Sequence, residues 1–121
     1  MLIRIDGESP RPIFEQVASS VRADIAAGVV RVGDRLPPAR DVADALDINV
    51  HTVLHAYRLL RDEGLVDLRR GRGAVVSPAA AALGELRDDI RSLIARAETL
   101  GVPAPALAAL IEDPALRGGE R

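Results

Sequence analysis

Ala39-Arg-Asp-Val-Ala-Asp-Ala-Leu-Asp-Ile-Asn-Val-His-Thr-Val-Leu-His-Ala-Tyr-Arg-Leu-Leu-Arg-Asp-Glu-Gly64 holds two helices and the turn between them. Val42, Ala43 and Leu46 fall on one face of a short first helix, Ala39 to Leu46, whose prolyl start suits the opening turn. Asp47-Ile-Asn49 interrupts the pattern. It resumes from Val50 to Glu63 with Val53, Ala56, Tyr57 and Leu60 at helical spacing, Asn49 placed to cap the first turn and Gly64 to close the last. Two short amphipathic helices separated by a three-residue turn form the helix-turn-helix pattern.

Working outward, apolar residues at 13, 17, 21 and 25 mark an earlier helix that Gly28 stops, and Val29 to Pro38 reads as an extended connector because Leu36-Pro-Pro cannot continue a helix. Downstream, Leu65-Val-Asp-Leu-Arg69 alternates apolar and polar residues. Arg70-Gly-Arg-Gly73 makes a turn and Ala74 to Ser77 returns, which gives a β-hairpin, the wing. From Ala79 a helical stripe of Leu83, Leu86, Ile90, Leu93, Ile94 and Ala97 runs to Leu100. Gly101-Val-Pro103 breaks it, and a last short helix from Ala104 to Ile111 carries Leu107, Leu110 and Ile111. The expected class is mainly α with a small β-hairpin: a winged helix-turn-helix domain over 11–78, two dimerisation helices over 79–112, and a frayed end over 113–121.

Composition narrows the function. Of 121 residues none is Cys, which excludes disulfides and thiolate chemistry. The opening Met1-Leu-Ile-Arg-Ile-Asp-Gly-Glu-Ser9 has neither a basic nor an apolar targeting region, no run approaches a membrane span, and a cytoplasmic protein is expected. The net charge of -2 favours a protein-interaction module if only the total is read. Distribution argues otherwise: residues 10–78 hold ten arginines against nine acidic residues, with Arg69, Arg70 and Arg72 clustered around Gly71 and Gly73. His51 and His55 stand at a metal-pair spacing, but no carboxylate lies between them and no third His or Cys exists to complete a set. With no phosphate loop and no nucleophile beside a base, neither an enzyme, a metal nor a cofactor is expected.

Pro12-Ile-Phe-Glu-Gln-Val17, Gly33-Asp-Arg-Leu-Pro37, Arg40-Asp-Val-Ala43, Asn49 to Tyr57, Asp62-Glu-Gly-Leu-Val66 and Gly71-Arg-Gly73 together resemble the GntR family of bacterial regulators. The run Asn49-Val-His-Thr-Val-Leu-His-Ala-Tyr57 and the short tail are similar to its YtrA branch, in which two helices replace a large effector domain. The resemblance implies a homodimeric repressor on double-stranded operator DNA, a DNA-contacting arginine at Arg40, and a wing tip at Arg70, Gly71 and Arg72 that reaches the minor groove. Many members carry arginine where Val50 and Leu54 stand here.

Helix geometry points the same way. His51, His55, Arg58 and Asp62 share a face opposite the apolar one, so base reading is expected from Asn49, His51, Thr52 and His55, with Val50 and Leu54 against thymine methyls. Arg11, Arg35 and Arg58 are candidates for phosphate. Leu83, Leu86, Ile90, Leu93, Ile94, Leu100, Leu107 and Leu110 are the expected dimer interface, because so much apolar surface on so small a chain needs a partner. A small-molecule effector of unknown identity is left open. Its place would be the dimer interface, since a cavity of roughly 300 Å³ is hard to build from the tail alone.

Overall fold

The computed structural model describes residues 1–118; residues 119–121, the last part of the stretch expected to fray, lie outside it. Contacts divide the chain into two compact units, Met1–Leu86 and Arg87 onward. The first contains α1 (Ile13–Ala26), α2 (Ala39–Leu46), α3 (Val50–Asp62), β1 (Val66–Arg69), β2 (Gly73–Val76) and the start of α4 (Ala81–Leu100). The second contains the rest of α4, then α5 (Ala104–Glu112) and a 3-10 turn at Pro114–Leu116. The chain is therefore mainly helical with one small antiparallel hairpin. Among the described residues no helix is long and apolar enough to cross a membrane.

The first unit is built on the apolar spacings of its helices. Val17 and Val21 of α1 meet Val53 and Leu60 of α3, with Val66 and Val76 of the hairpin closing the core; all six are almost wholly excluded from solvent. The turn between α2 and α3 is made by Asp47 in the left-handed region (φ 56), a conformation Asp tolerates better than most residues because its short side chain can bond locally. In the hairpin Val66 faces Val76 and Arg69 faces Gly73 across antiparallel pairs. The connector adds a bridge from Arg35 to Val75, with the Leu36 amide donating to the Ala74 carbonyl at 2.8 Å. Its extended path thus covers the free edge of β2, which removes an exposed edge as well as positioning Arg35.

The leader belongs to this unit, although the sequence reading started the domain at Arg11. Ile3 is buried in the core, and the Arg4 and Asp6 amides donate to Ser20 Oγ (3.0 Å) and Gln16 Oε1 (2.6 Å) on α1. Arg4 reaches Asp24 at 3.6 Å. Gln16, Ser20 and Asp24 are buried polar residues one helical turn apart, a ladder that holds an extended strand without apolar periodicity. Replacing Ile3 by Ala is expected to cost about 2 kcal/mol, the lower end for a buried isoleucine. A urea transition shows it as a lower midpoint at unchanged slope; a shift worth less than about 0.5 kcal/mol would mean the leader is not part of the core.

Within the second unit, Gly101 (φ +80) ends α4, and the Val102 amide turns back to the Ala97 carbonyl at 2.8 Å. Ala97 is the buried residue of this helix and α5 buries none. Ile90, Leu93 and Ile94 are each 43–45% exposed, and Leu100, Leu110 and Ile111 more so. Leu86, the last residue of the first unit, is 49% exposed on the same helix face. Leu83, placed with them by the sequence reading, is half-buried and packs against the core of the first unit. Leu107 is half-buried beside Ile94 and Ala97.

Candidate nucleic-acid interface

The solvent-facing side of α3 has two edges with different surroundings. Along one, the His55 ring lies parallel to Phe14 of α1, centroids 3.8 Å apart and planes 11° from each other. One face of the imidazole is covered, so His55 offers its nitrogen edge alone. Along the other edge Leu54 and Arg58, one turn apart, look onto a cleft between α3, the Leu36-Pro37-Pro38 turn and the hairpin.

That cleft encloses about 370 Å³. Its floor is apolar, with Pro37, Pro38, Leu54, Tyr57, Leu68 and Ala74, and its rim carries Arg35, Arg58, Arg69, Arg70 and Arg72. Arg69 lies 3.5 Å from Asp67; the other four rim arginines have no ion-pair partner among the described residues. Concentrated positive charge on an otherwise acidic chain is a strong local field for a polyanion. Gly71 at the hairpin tip sits at φ +79 with open space around it, so the tip needs glycine for its backbone conformation rather than for room.

Tyr57 fixes the cleft wall. Its hydroxyl donates to the Pro37 carbonyl at 2.6 Å, and burial pushes the phenol above its ordinary pKa, so it stays protonated and keeps donating. The bond ties α3 to the turn that enters α2. Replacing Tyr57 by Phe is expected to lower stability by about 1 kcal/mol with the fold intact, measured by urea unfolding; no change would show that the turn is held by packing alone.

The expected contact residues divide by position. Arg35, Arg58, Arg70 and Arg72 come together at the cleft, joined by Arg69, Leu68 and Tyr57, which the sequence reading treated as strand or core. Arg40, exposed on α2, lies outside the cleft lining and forms no ion pair with Asp41 or Asp44. Arg11 stands apart at the foot of α1, its Nη2 donating to Ser19 Oγ at 2.8 Å. Asn49 caps α3, its Oδ1 accepting from the His51 amide at 2.7 Å. A bidentate bond from Asn49 to a base would need that oxygen and would cost the cap. His51 is exposed, Thr52 half-buried, and Val50 packs against the core, which takes it from a thymine methyl. No group of three or more His, Asp or Glu residues able to hold a metal occurs among the described residues.

Comparison with known proteins gives concordant matches. The family model for bacterial regulatory proteins, gntR family, matches residues 13–76, the span from α1 to the end of β2. The HTH-type transcriptional repressor YtrA of Bacillus subtilis is 30% identical over 128 aligned residues, 99% of this chain and 98% of its own length. The structure of YtrA from Sulfolobus acidocaldarius, a GntR-family transcription factor, is 36% identical and superposes with a TM-score of 0.61 over 82% of this chain and 99% of that one. A GntR family transcriptional regulator from Listeria monocytogenes shares the fold at 24% identity, with a TM-score of 0.62 over 89% and 97% of the two chains.

Proposed function

Because this chain belongs to the GntR family of bacterial regulatory proteins, we propose that it is a homodimeric, sequence-specific repressor that binds a pseudo-palindromic operator. The observation that carries the reading is the concentration of unpaired arginines between α3 and the hairpin tip, beside the exposed N-terminal turns of α3. In a winged helix-turn-helix protein those turns enter the major groove and read base edges. His51 and the nitrogen edge of His55 are the readers, with Thr52 and the free amide nitrogen of Asn49 in support. Arg58, Arg35 and Arg40 bind phosphates, which position the domain without carrying sequence information. Arg70, Gly71 and Arg72 lay the wing along the adjacent minor groove, where a narrow groove concentrates negative potential. Arg11, already engaged with Ser19, is a peripheral phosphate contact.

The apolar stripe on α4 and α5 supplies the second half of the proposal. Leu86, Ile90, Leu93, Ile94, Leu100 and Leu110 are exposed and bury themselves against the same residues of a second copy, a two-fold contact that presents two reading heads to an inverted repeat. The domain over 11–78, extended by the leader, then does the reading and the tail over 79–112 does the pairing. Such a regulator works in the cytoplasm, needs no cofactor and catalyses nothing.

A gel shift with the promoter of its own operon tests the reading. Tight binding is expected that weakens steeply with salt and exceeds binding to random duplex by at least about a thousandfold. No preference over random duplex at physiological salt would overturn it.

A further inference from the structure

The apolar floor of the arginine-rimmed cleft is something a phosphate backbone has no use for. A phosphate gains from Arg58, Arg70 and Arg72, but loses hydration without compensation where it faces Leu54, Leu68 and Pro37. Leu68 is 40% exposed there, an apolar side chain on a strand whose neighbours Asp67 and Arg69 are charged. A cavity of about 370 Å³ is also within the range of small-molecule sites, and every residue lining it belongs to the first compact unit.

We infer that this cleft is a receptor site for a small amphipathic carboxylate, whose apolar body lies on Leu54, Tyr57 and Leu68 while its anionic end pairs with Arg58, Arg70 or Arg72. Apolar contact favours a carbon chain or ring on the floor, and the guanidinium fork matches a carboxylate at the rim. The rim arginines then serve two anions in turn. Resting on the proposed DNA-binding role, the inference makes the carboxylate a direct competitor of the operator: occupying the arginines removes them from phosphate, and bound DNA excludes the ligand by the same factor.

Decanoate and naphthoate are the probes for an acyl and an aryl body, with decanol as the uncharged control. Titrated into isotope-labelled full-length protein, at least one carboxylate is expected to shift the amides of residues 54–58 and 68–74 saturably, with a Kd below about 1 mM and at least about tenfold tighter than decanol. Leu68→Asp should abolish these shifts. Arg72→Gln, which leaves the floor intact, should weaken the carboxylate at least about threefold and leave decanol unchanged. Shifts confined to α4 and α5, equal binding of decanol, or no saturable shift would overturn the site. For regulation, the same carboxylate should raise the apparent Kd for an operator duplex in proportion to its concentration. If the duplex binds and the carboxylate fills the cleft without that rise, the competition is refuted. If no duplex binds at all, the proposed function fails while the amide shifts still decide the site.

Discussion

The triple variant Arg58→Ala/Arg70→Ala/Arg72→Ala is expected to bind duplex DNA at least about a hundredfold more weakly at physiological salt, across operator and random sequences alike. These arginines converge on the cleft from α3 and the hairpin tip with no carboxylate beside them among the described residues. In a homodimer the variant removes six positive charges. If each neutralises a phosphate, the slope of log affinity against log salt falls in magnitude by about 5. All three side chains are exposed, so stability should change little and the urea midpoint provides the control. Anisotropy titrations at several salt concentrations make the measurement. An unchanged slope would mean that the cleft does not face DNA, whatever happens to affinity at one salt.

The second large effect concerns the tail. Ile90→Glu with Ile94→Glu places charges in the middle of the stripe on α4, where both isoleucines are 45% exposed. In the proposed dimer those positions are buried from both copies, so four apolar side chains are lost and four carboxylates are brought together in low dielectric. At about 1.5 kcal/mol or more per isoleucine, association should weaken by at least about 5 kcal/mol, enough to give monomers at micromolar concentration. Helix propensity is nearly indifferent to the exchange, so far-UV circular dichroism should stay unchanged. Sedimentation equilibrium reads the mass. Operator affinity should fall with it by about a hundredfold or more, because each head then finds its half-site independently. A variant that remained dimeric would place the interface elsewhere.

What could be read from the sequence, and what could not, follows from the kind of interaction involved. The three helices of the reading domain show in the spacing of Val17, Val21, Val53, Ala56 and Leu60, because apolar side chains packed on one face leave a period. The hairpin shows in the alternation around Val66 and in Gly71 and Gly73, whose positive φ suits them to the turn. The leader does not show, since Gln16, Ser20 and Asp24 hold it through polar contacts that have no hydropathy signature. Nor does the bridge from Arg35 to Val75, a backbone contact to which side-chain type contributes little.

The candidate site was legible as residue types and not as an arrangement. The arginines near Gly71 are adjacent in sequence, but Arg35 and Arg58 join them only through the fold, and Leu68 reads as an ordinary strand residue until the cleft exists. His55 looks as free as His51 on a helical projection. Phe14 covers its face through the packing of α1 on α3, a tertiary contact that no local pattern contains. Asn49 illustrates the converse: its capping position is visible in the sequence, and the cap bond to His51 restricts the base contacts it can make.

The most direct test of the central claim is selection of bound duplexes from a random pool by the purified full-length chain. The account predicts enrichment of an inverted repeat whose half-sites lie about one helical turn apart, near 10 base pairs, or a multiple of it, with protection of both halves by one dimer. Enrichment of a single unrepeated site, or recovery of the pool unchanged, would contradict it.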